Sequence, residues 1–241
     1  MRLQPDASTR WGTSQLWSWQ GLACHWQMLG DPTQPALVLL HGFGASSGHW
    51  RRNAAPLAAA GWCVYGLDLI GFGASSQPGH QRGRALDNRL WARQVQAFAE
   101  QVIGAPVVLV GHSLGGLVAL SCGVLFPRWV RAVVAAPLPD PSLLMPPRRP
   151  GRRRPWQRRL RRALVTLLCR LLPLELIVPL LVHSPLLDLG IQAAYSAAVI
   201  GDRELRRLIA GPARRPTAVR ALRAMSRAMA LRPFGATARA L

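Results

Sequence analysis

Residues 107–116 read VVLVGHSLGG, and they place the pattern Gly111-x-Ser113-x-Gly115 between an apolar strand-like run and a predicted apolar helix. Such a pattern is typical of a nucleophile elbow, in which a serine occupies a strained turn and exposes its Oγ above a sheet. The residues two positions before and after must be very small, because strand and helix approach closely there. The free N–H groups at the start of the helix favour an oxyanion. The stretch therefore predicts Ser113 as a nucleophile and the Leu114 amide as an oxyanion-hole donor.

Two further glycine-rich turns follow apolar runs upstream of this stretch. Residues 41–44 (HGFG) follow the run ALVLL, and residues 68–75 (DLIGFGAS) come at the end of the next run, CVYGL. HGFG alone is equally consistent with an ordinary strand-to-helix turn. Three such turns in succession instead predict that the three loops lie together at one edge of the sheet, around Ser113. The Phe43 amide would be the second oxyanion donor there.

Strand-like and helix-like segments alternate over residues 1–137, and this part is predicted to be the core domain. The predicted strands are 16–29 (an opening pair), 36–41, 63–69, 106–110 and 130–136, and the predicted helices are 49–60, 88–103 and 114–126. Nearly continuous apolar strands between helices indicate a mostly parallel sheet covered on both faces, the α/β class. Residues 138–241 show no further strand pattern and are predicted to form an Arg-rich helical cap.

The motifs HGFGAS, DLIGFGAS and VGHSLGG together resemble the α/β-hydrolase fold family. They are most similar to its branch of pheophytinases and chlorophyll dephytylases from cyanobacteria and plastids. The resemblance implies hydrolysis of a carboxylic ester, in that branch a phytyl ester, through an acyl-enzyme on Ser113 without a metal or an organic cofactor. Cofactor-free haloperoxidases, thioesterases and acyltransferases of this fold use the same serine. Epoxide hydrolases and dehalogenases of the fold need an aspartate at position 113.

The acid and the histidine of a catalytic triad are not evident in the sequence. Members of the family carry them after a seventh and an eighth strand, and neither strand is predicted before Leu241. We therefore expect a C-terminally truncated chain that lacks the last strands of the sheet. Asp140 and His183 are the formal substitutes, because they follow Ser113 in the required order. The alternative is a catalytically incomplete remnant that binds membrane or a hydrophobic ligand.

The chain of 241 residues has a net charge of +20, and all of its 30 basic residues are arginine. Nine arginines lie between residues 148 and 162, directly before an apolar stretch at 163–187. No stacking-aromatic or helix-turn-helix pattern accompanies them, so nucleic acid is not predicted as a partner. Prolines and charges interrupt the apolar stretch and disfavour a transmembrane span. An interfacial cap that touches an anionic membrane surface is one interpretation, and a soluble cap with a solvated basic face is the other.

The N-terminal residues contain no apolar segment of the kind found in secretory signals. A cytoplasmic protein is therefore expected, with peripheral membrane contact if the cap is interfacial. The expected partner is a small hydrophobic ester substrate.

Overall fold

The computed structural model describes residues 11–79, 85–136, 171–194 and 201–231, together with residues 156, 160, 163–164 and 167–168. Six strands lie in one sheet, and the helices follow in chain order. The strands are β1 (Thr13–Trp19), β2 (Leu22–Leu29), β3 (Ala36–Leu40), β4 (Cys63–Leu67), β5 (Val107–Gly111) and β6 (Val130–Ala135). The helices are α1 (Ala54–Ala59), α2 (Asn88–Phe98), α3 (Leu114–Leu125), α4 (Leu174–His183), α5 (Leu186–Ala194), α6 (Arg203–Ala213) and α7 (Ala218–Leu231).

The sheet is mostly parallel, as the sequence predicts. Its strand order is β1-β2-β4-β3-β5-β6; the strands β4, β3, β5 and β6 are parallel to one another, and β1 and β2 form an antiparallel hairpin at one edge. Gln20 and Gly21 close this hairpin with positive φ angles of 50° and 74°. The carboxyl ends of the parallel strands therefore lie along one edge of the sheet, where ligands bind in open α/β folds.

Both faces of the sheet are covered, and the residues of β3 show why. Leu37 and Leu39 pack with Ala54 of α1 on one face. Val38 and Leu40 point to the other face and join the large cluster that includes Trp91 of α2 and further residues of α3. Because successive strand residues point to opposite faces, a fully apolar strand is stable only between two layers.

The helix predicted over residues 49–60 was wrong at its beginning. A short 3-10 helix covers Ser47–Trp50, and α1 begins only at Ala54 after Asn53. Helix α2 is followed by a wider π-helical turn over Ala99–Ile103, which ends at Gly104 with a φ of 76°. The segment 88–103, predicted as one helix, therefore consists of an α-helix followed by a π-helical turn.

The C-terminal helices differ in how they relate to the sheet. Ala221, Ala224 and Met225 of α7 are buried in the same cluster as the sheet residues. Helices α4 and α5 instead expose many of their leucines. The division at residue 137 into core and cap stays a prediction, and α7 shows that part of the proposed cap contributes to the main hydrophobic core.

Candidate active site

The backbone of Ser113 has the geometry of a nucleophile elbow. Its φ is 53° and its ψ is −114°, and it directly precedes α3, the helix whose first residue is Leu114. A non-glycine residue held at positive φ costs on the order of 1–3 kcal/mol and persists only where the surrounding structure enforces it. The side chain of Ser113 makes no hydrogen bond to cap α3. The turn thus sets the serine at the carboxyl end of β5 without using its hydroxyl for helix capping.

Gly111 and Gly115 explain how the turn is enforced. A Cβ atom on Gly115 would lie 2.2 Å from the carbonyl oxygen of Leu40, and one on Gly111 would lie 2.3 Å from the carbonyl oxygen of Gly115. No side chain fits in these spaces, so α3 packs directly on the backbone of β3 and β5. The requirement for small residues that the sequence implies therefore has a specific structural cause.

The two amides predicted to form an oxyanion hole belong to adjacent strand ends. Leu114 is the first residue of α3, and the N–H groups of a first helical turn have no acceptor within the helix. Phe43 follows β3, the strand that pairs with β5. In the part of the chain that the structure describes, neither amide donates to a backbone carbonyl. Both groups are therefore suited to stabilise a negative oxygen beside Ser113.

The Phe43 side chain lies at the entrance of this region. Its ring is 55% exposed and meets the buried Phe72 ring edge-on, with centroids 5.6 Å apart. Phe72 belongs to the glycine-rich loop after β4 and also packs against Trp91 of α2, at 5.8 Å. The rim beside Ser113 is thus lined by aromatic rings, which favours an apolar ligand.

His41 is completely buried and joins two loops through hydrogen bonds. Its Nδ1 donates to the Gly42 carbonyl at 2.8 Å, and its Nε2 accepts from the Leu69 N–H at 3.1 Å. Burial lowers the pKa of His41. The ring is therefore neutral near pH 7, and both of its nitrogens are occupied in joining the loops after β3 and β4.

His49 and His112 form a stacked pair close to the serine. Their ring centroids are 5.0 Å apart with an angle of 26° between the planes. Burial, with repulsion from His112, lowers the pKa of His49 to about 4, and burial also lowers the pKa of His112. A Cβ on Gly42 would lie 2.8 Å from His112 Nδ1. The glycine at position 42 therefore makes room for the ring that precedes Ser113.

The two formal substitutes for the triad are not brought to Ser113 by the described structure. His183 lies exposed at the end of α4, where its Nδ1 is 2.8 Å from the Pro179 carbonyl of its own helix. Asp140 lies outside the described residues. His25 is hydrogen-bonded to Ser14 and Asp68, His41 to Gly42 and Leu69, and His183 to Pro179. The triad role of Asp140 and His183 stays a prediction.

A buried carboxylate that the sequence analysis treated only as part of a turn organises the loop after β4. Asp68 accepts from His25 Nδ1 at 2.8 Å and from the backbone N–H groups of Ser47 at 2.5 Å and Ala74 at 2.8 Å. Burial raises the pKa of Asp68, but the hydrogen bond and charge of His25 and the Ser47 N–H outweigh it, so that the pKa is about 2. The carboxylate therefore stays ionised and ties three segments together.

Ser14, His25 and Asp68 form a hydrogen-bonded chain with the composition of a catalytic triad. Ser14 Oγ is 2.7 Å from His25 Nε2, and His25 Nδ1 is 2.8 Å from Asp68 Oδ2. Ser14 lies within the regular edge strand β1, opposite Gln27. No strained turn presents the Ser14 hydroxyl. The row of hydrogen bonds therefore attaches β1 to the loop after β4. No local pattern indicates these hydrogen bonds, because the three residues are far apart in the chain.

The turn between α6 and α7 packs directly on the same loop. Arg215 Nη1 donates to the carbonyls of Gly73 at 2.8 Å and Ser75 at 3.0 Å. Gln77 receives a hydrogen bond from Thr217 Oγ1 at 2.6 Å and donates to the Pro212 carbonyl at 3.0 Å. The C-terminal helices are therefore fastened to one of the three loops that surround Ser113.

Among the described residues, no group of three or more His, Cys, Asp or Glu side chains is placed to hold a metal ion.

A sequence profile of the α/β hydrolase fold matches residues 35–228, which is most of the chain. The chain belongs to the α/β hydrolase fold family. This match covers β3 to β6, α1 to α6 and most of α7. It confirms the predicted fold class and the family.

Curated relatives are similar over about half of the chain. The chain is 29% identical to epoxide hydrolase 4 of Mus musculus over 123 residues, which are 51% of this chain and 33% of that protein. It is 31% identical to the (lyso)-N-acylphosphatidylethanolamine lipase of Homo sapiens over 112 residues, which are 45% of this chain and 32% of that protein. The matched region thus spans about a third of the length of each of these relatives.

Solved structures share the fold over a larger part of the chain. A mutant of a Pseudomonas aeruginosa protein grouped with the epoxide hydrolases has a TM-score of 0.70 and 21% identity, and the match covers 95% of this chain and 73% of that chain. A protein of Pseudomonas aeruginosa PAO1 described as a hydrolytic enzyme has a TM-score of 0.61 and 22% identity, covering 89% and 64%. At these identities the likeness establishes the fold alone.

Proposed function

We propose that this chain carries the nucleophile and the oxyanion hole of a serine hydrolase that cleaves a carboxylic ester of a hydrophobic compound. The observation that supports the proposal is the backbone of Ser113, held at a φ of 53° between glycines that admit no side chain. A chain accepts such strain where the turn presents a reactive group. The proposal concerns the whole protein to which these residues belong.

In the proposed reaction, Ser113 Oγ attacks the ester carbonyl carbon while a general base takes its proton. The carbonyl oxygen becomes an oxyanion held by the Phe43 and Leu114 amides. The tetrahedral intermediate expels the alcohol, which leaves with the proton from the base, and an acyl-Ser113 ester remains. Water then attacks this ester by the same route and releases the carboxylic acid and the free serine.

The nucleophile favours an ester over an epoxide, even though some relatives are epoxide hydrolases. Attack of a serine oxygen on an epoxide carbon would form an alkyl ether, which water does not cleave under mild conditions. An aspartate in the same position forms an ester, which water does cleave. The lipase among the relatives agrees with an acyl-transfer reaction. Ser113 therefore supports a serine mechanism of the esterase kind.

The proposal assigns the general base to neither His41 nor His25. His41 is excluded by its two occupied nitrogens, and His25 is committed to Ser14 and Asp68. An un-ionised serine is a weak nucleophile without such a base. If none is supplied, the chain would bind its ligand without turnover, which is the second candidate function.

The substrate class is proposed from the apolar rim. The exposed Phe43 ring and its contact with Phe72 suit a long hydrocarbon group on one side of the ester. A phytyl ester is the specific candidate, and it derives from the resemblance of the loop motifs to the pheophytinase branch. Hydrolysis of a thioester and acyl transfer to an acceptor other than water proceed through the same acyl-enzyme. These reactions differ from ester hydrolysis in the bond that Ser113 attacks or in the acceptor that takes the acyl group.

A fluorophosphonate probe tests the proposal because it reacts with activated serines. We expect covalent capture of the wild-type chain at Ser113, located by peptide mass spectrometry, and no capture of Ser113→Ala. Ser184→Ala, which removes a partly exposed serine next to α4, is the matched control and should be captured like the wild type. A folded wild-type chain that the probe leaves unmodified would favour binding without turnover.

A further inference from the structure

The helical hairpin of α4 and α5 and the residues just before it expose an unusual number of leucines. Seven of them, which we term the leucine surface, are between 40% and 73% exposed: Leu171, Leu172, Leu176, Leu180, Leu181, Leu186 and Leu189. Single exposed leucines are ordinary on proteins, but a contiguous set on one hairpin marks an interaction site.

The apolar character extends upstream at helical spacing. Trp156, Leu160 and Leu164 are four residues apart, and each is more than half exposed. The described residues between 156 and 171 are helical. Side chains at such spacing lie on one face of a helix. These described positions add exposed apolar side chains to the segment that precedes the leucine surface.

The charges around this surface are almost entirely positive. Nine arginines occur between residues 148 and 162, interleaved with the exposed apolar residues, and Glu175 and Asp188 are the only acids between residues 141 and 201. Each of these acids is paired with an arginine of a neighbouring helix, Glu175 with Arg223 at 2.7 Å and Asp188 with Arg206 at 2.8 Å. The acids are thus neutralised, and the arginines before the hairpin carry the net charge.

The hairpin is too short in each arm to cross a bilayer. The ten residues of α4 extend roughly 15 Å, whereas a hydrocarbon core is about 30 Å thick. Within the described residues no single helix qualifies as a span; α4 and α5 meet the length and composition criteria only jointly, with a bend of 76° between them. A bent apolar hairpin flanked by arginines is suited to lie in the plane of a membrane interface.

From these observations we propose that the leucine surface is a peripheral membrane-binding site for bilayers that contain anionic lipid. The leucines enter the boundary between headgroups and acyl chains, and the net charge of +20 favours bilayers with anionic headgroups. Helices α6 and α7, which hold the hairpin through Arg206 and Arg223, connect it to the loop beside Ser113 through Arg215. The site would place the apolar rim near membrane-dissolved substrate, but the binding itself does not depend on the proposed catalysis.

Flotation with vesicles tests the proposal on the full chain without any substrate. The vesicles are phosphatidylcholine alone, and phosphatidylcholine mixed equally with phosphatidylglycerol. We expect the chain to float with the mixed vesicles at low salt and to bind phosphatidylcholine more weakly. Added salt should weaken the binding, because it screens the arginines.

The double variant Leu176→Gln/Leu180→Gln tests the apolar part. We expect its partitioning to fall at least about tenfold, because two leucines would no longer bury their side chains in lipid. The matched control is Leu16→Gln/Leu125→Gln, two exposed leucines on β1 and α3, which should float like the wild type. Circular dichroism of all variants checks that the fold is unchanged.

Three results would overturn the proposal. The first is equal binding to neutral and mixed vesicles, and the second is equal binding of the wild type and the Leu176/Leu180 variant. The third is an oligomer without vesicles that this variant disperses, combined with no flotation, because the surface would then be an interface between copies of the chain. None of these results depends on probe capture at Ser113.

Discussion

At the scale of single residues, the site depends on positions where no side chain is tolerated. Gly115 lies against the carbonyls of Leu40 and His41, so α3 sits directly on the end of β3. This contact fixes where the first amide of the helix points relative to Ser113. The glycine is therefore a determinant of geometry, although it takes no part in the chemistry.

We predict that Gly115→Ala destabilises the chain by about 1–3 kcal/mol, because its Cβ would overlap backbone atoms that cannot move independently. Urea unfolding measures this change. Gly123→Ala in the same helix is the matched control, since its Cβ would lie 3.4 Å from Val133 Cγ2, an ordinary contact. That control should be neutral or slightly stabilising, because alanine favours helix more than glycine does. Equal losses for both variants would contradict the packing argument.

At the scale of elements, Asp68 joins parts of the chain that pattern analysis treats separately. Its carboxylate holds β2 through His25, the Ser47–Trp50 turn through the Ser47 amide, and the loop after β4 through the Ala74 amide. Gly73 is needed beside it, since a Cβ there would lie 2.2 Å from Asp68 Oδ2. Asp68 thus joins β2, the Ser47–Trp50 turn and the loop after β4 through one buried carboxylate.

The pH dependence of stability follows from the low pKa of Asp68. Its pKa is lowered from 3.8 to about 2 in the folded chain, so the carboxylate stabilises the fold above pH 4. That stabilisation, roughly 2 kcal/mol, is lost as the pH falls from about 4 through 2. Asp68→Asn should be less stable at neutral pH, and its stability should change less over this acid range.

Urea unfolding at neutral pH and at about pH 3 checks this prediction. Asp31→Asn, in an exposed turn, is the control and should follow the wild-type acid profile. If Asp68→Asn and the wild type lose stability in parallel on acidification, the carboxylate is not the anchor inferred here.

At the scale of the whole molecule, the C-terminal helices lie in two different environments, one buried and one exposed. Helices α6 and α7 continue the core, and Met225 of α7 packs where a side chain on Gly71 would otherwise lie. Helices α4 and α5 turn their leucines outward. The region predicted as a single cap therefore consists of two parts: α6 and α7 are attached to the core, and α4 and α5 are exposed.

We predict that Arg215→Met loosens the attached part. The guanidinium donates to two loop carbonyls, and its loss should cost about 1.5–3 kcal/mol, as for hydrogen bonds to charged groups. Limited proteolysis should show faster cleavage within residues 201–231. Arg214→Met, at an exposed neighbouring position, is the control and should be cleaved at the wild-type rate. Equal cleavage of all three chains would show that Arg215 does not hold these helices.

Local pattern was sufficient to predict much of the fold. The apolar run of β3 and the glycine spacing around Ser113 indicated a buried parallel strand and a strained turn, because these features depend on near neighbours in the chain. The predicted beginning of α1 was wrong because contacts with distant segments decide it. Residues 49–60 have helical composition, but the 3-10 helix at Ser47–Trp50 is bonded to distant segments through Ser47.

Sequence pattern is sufficient for the family fold and for the alternation of strands and helices, and it predicts Ser113 as the candidate nucleophile. Three features appear only in the folded chain: both ring nitrogens of His41 are occupied, Asp68 pairs with His25 forty-three residues away, and α7 is part of the core while α4 is exposed. The physical reason is that periodicity reports which face of an element is apolar. Which surface covers that face, and which polar group meets a buried charge, depends on contacts between residues distant in the chain.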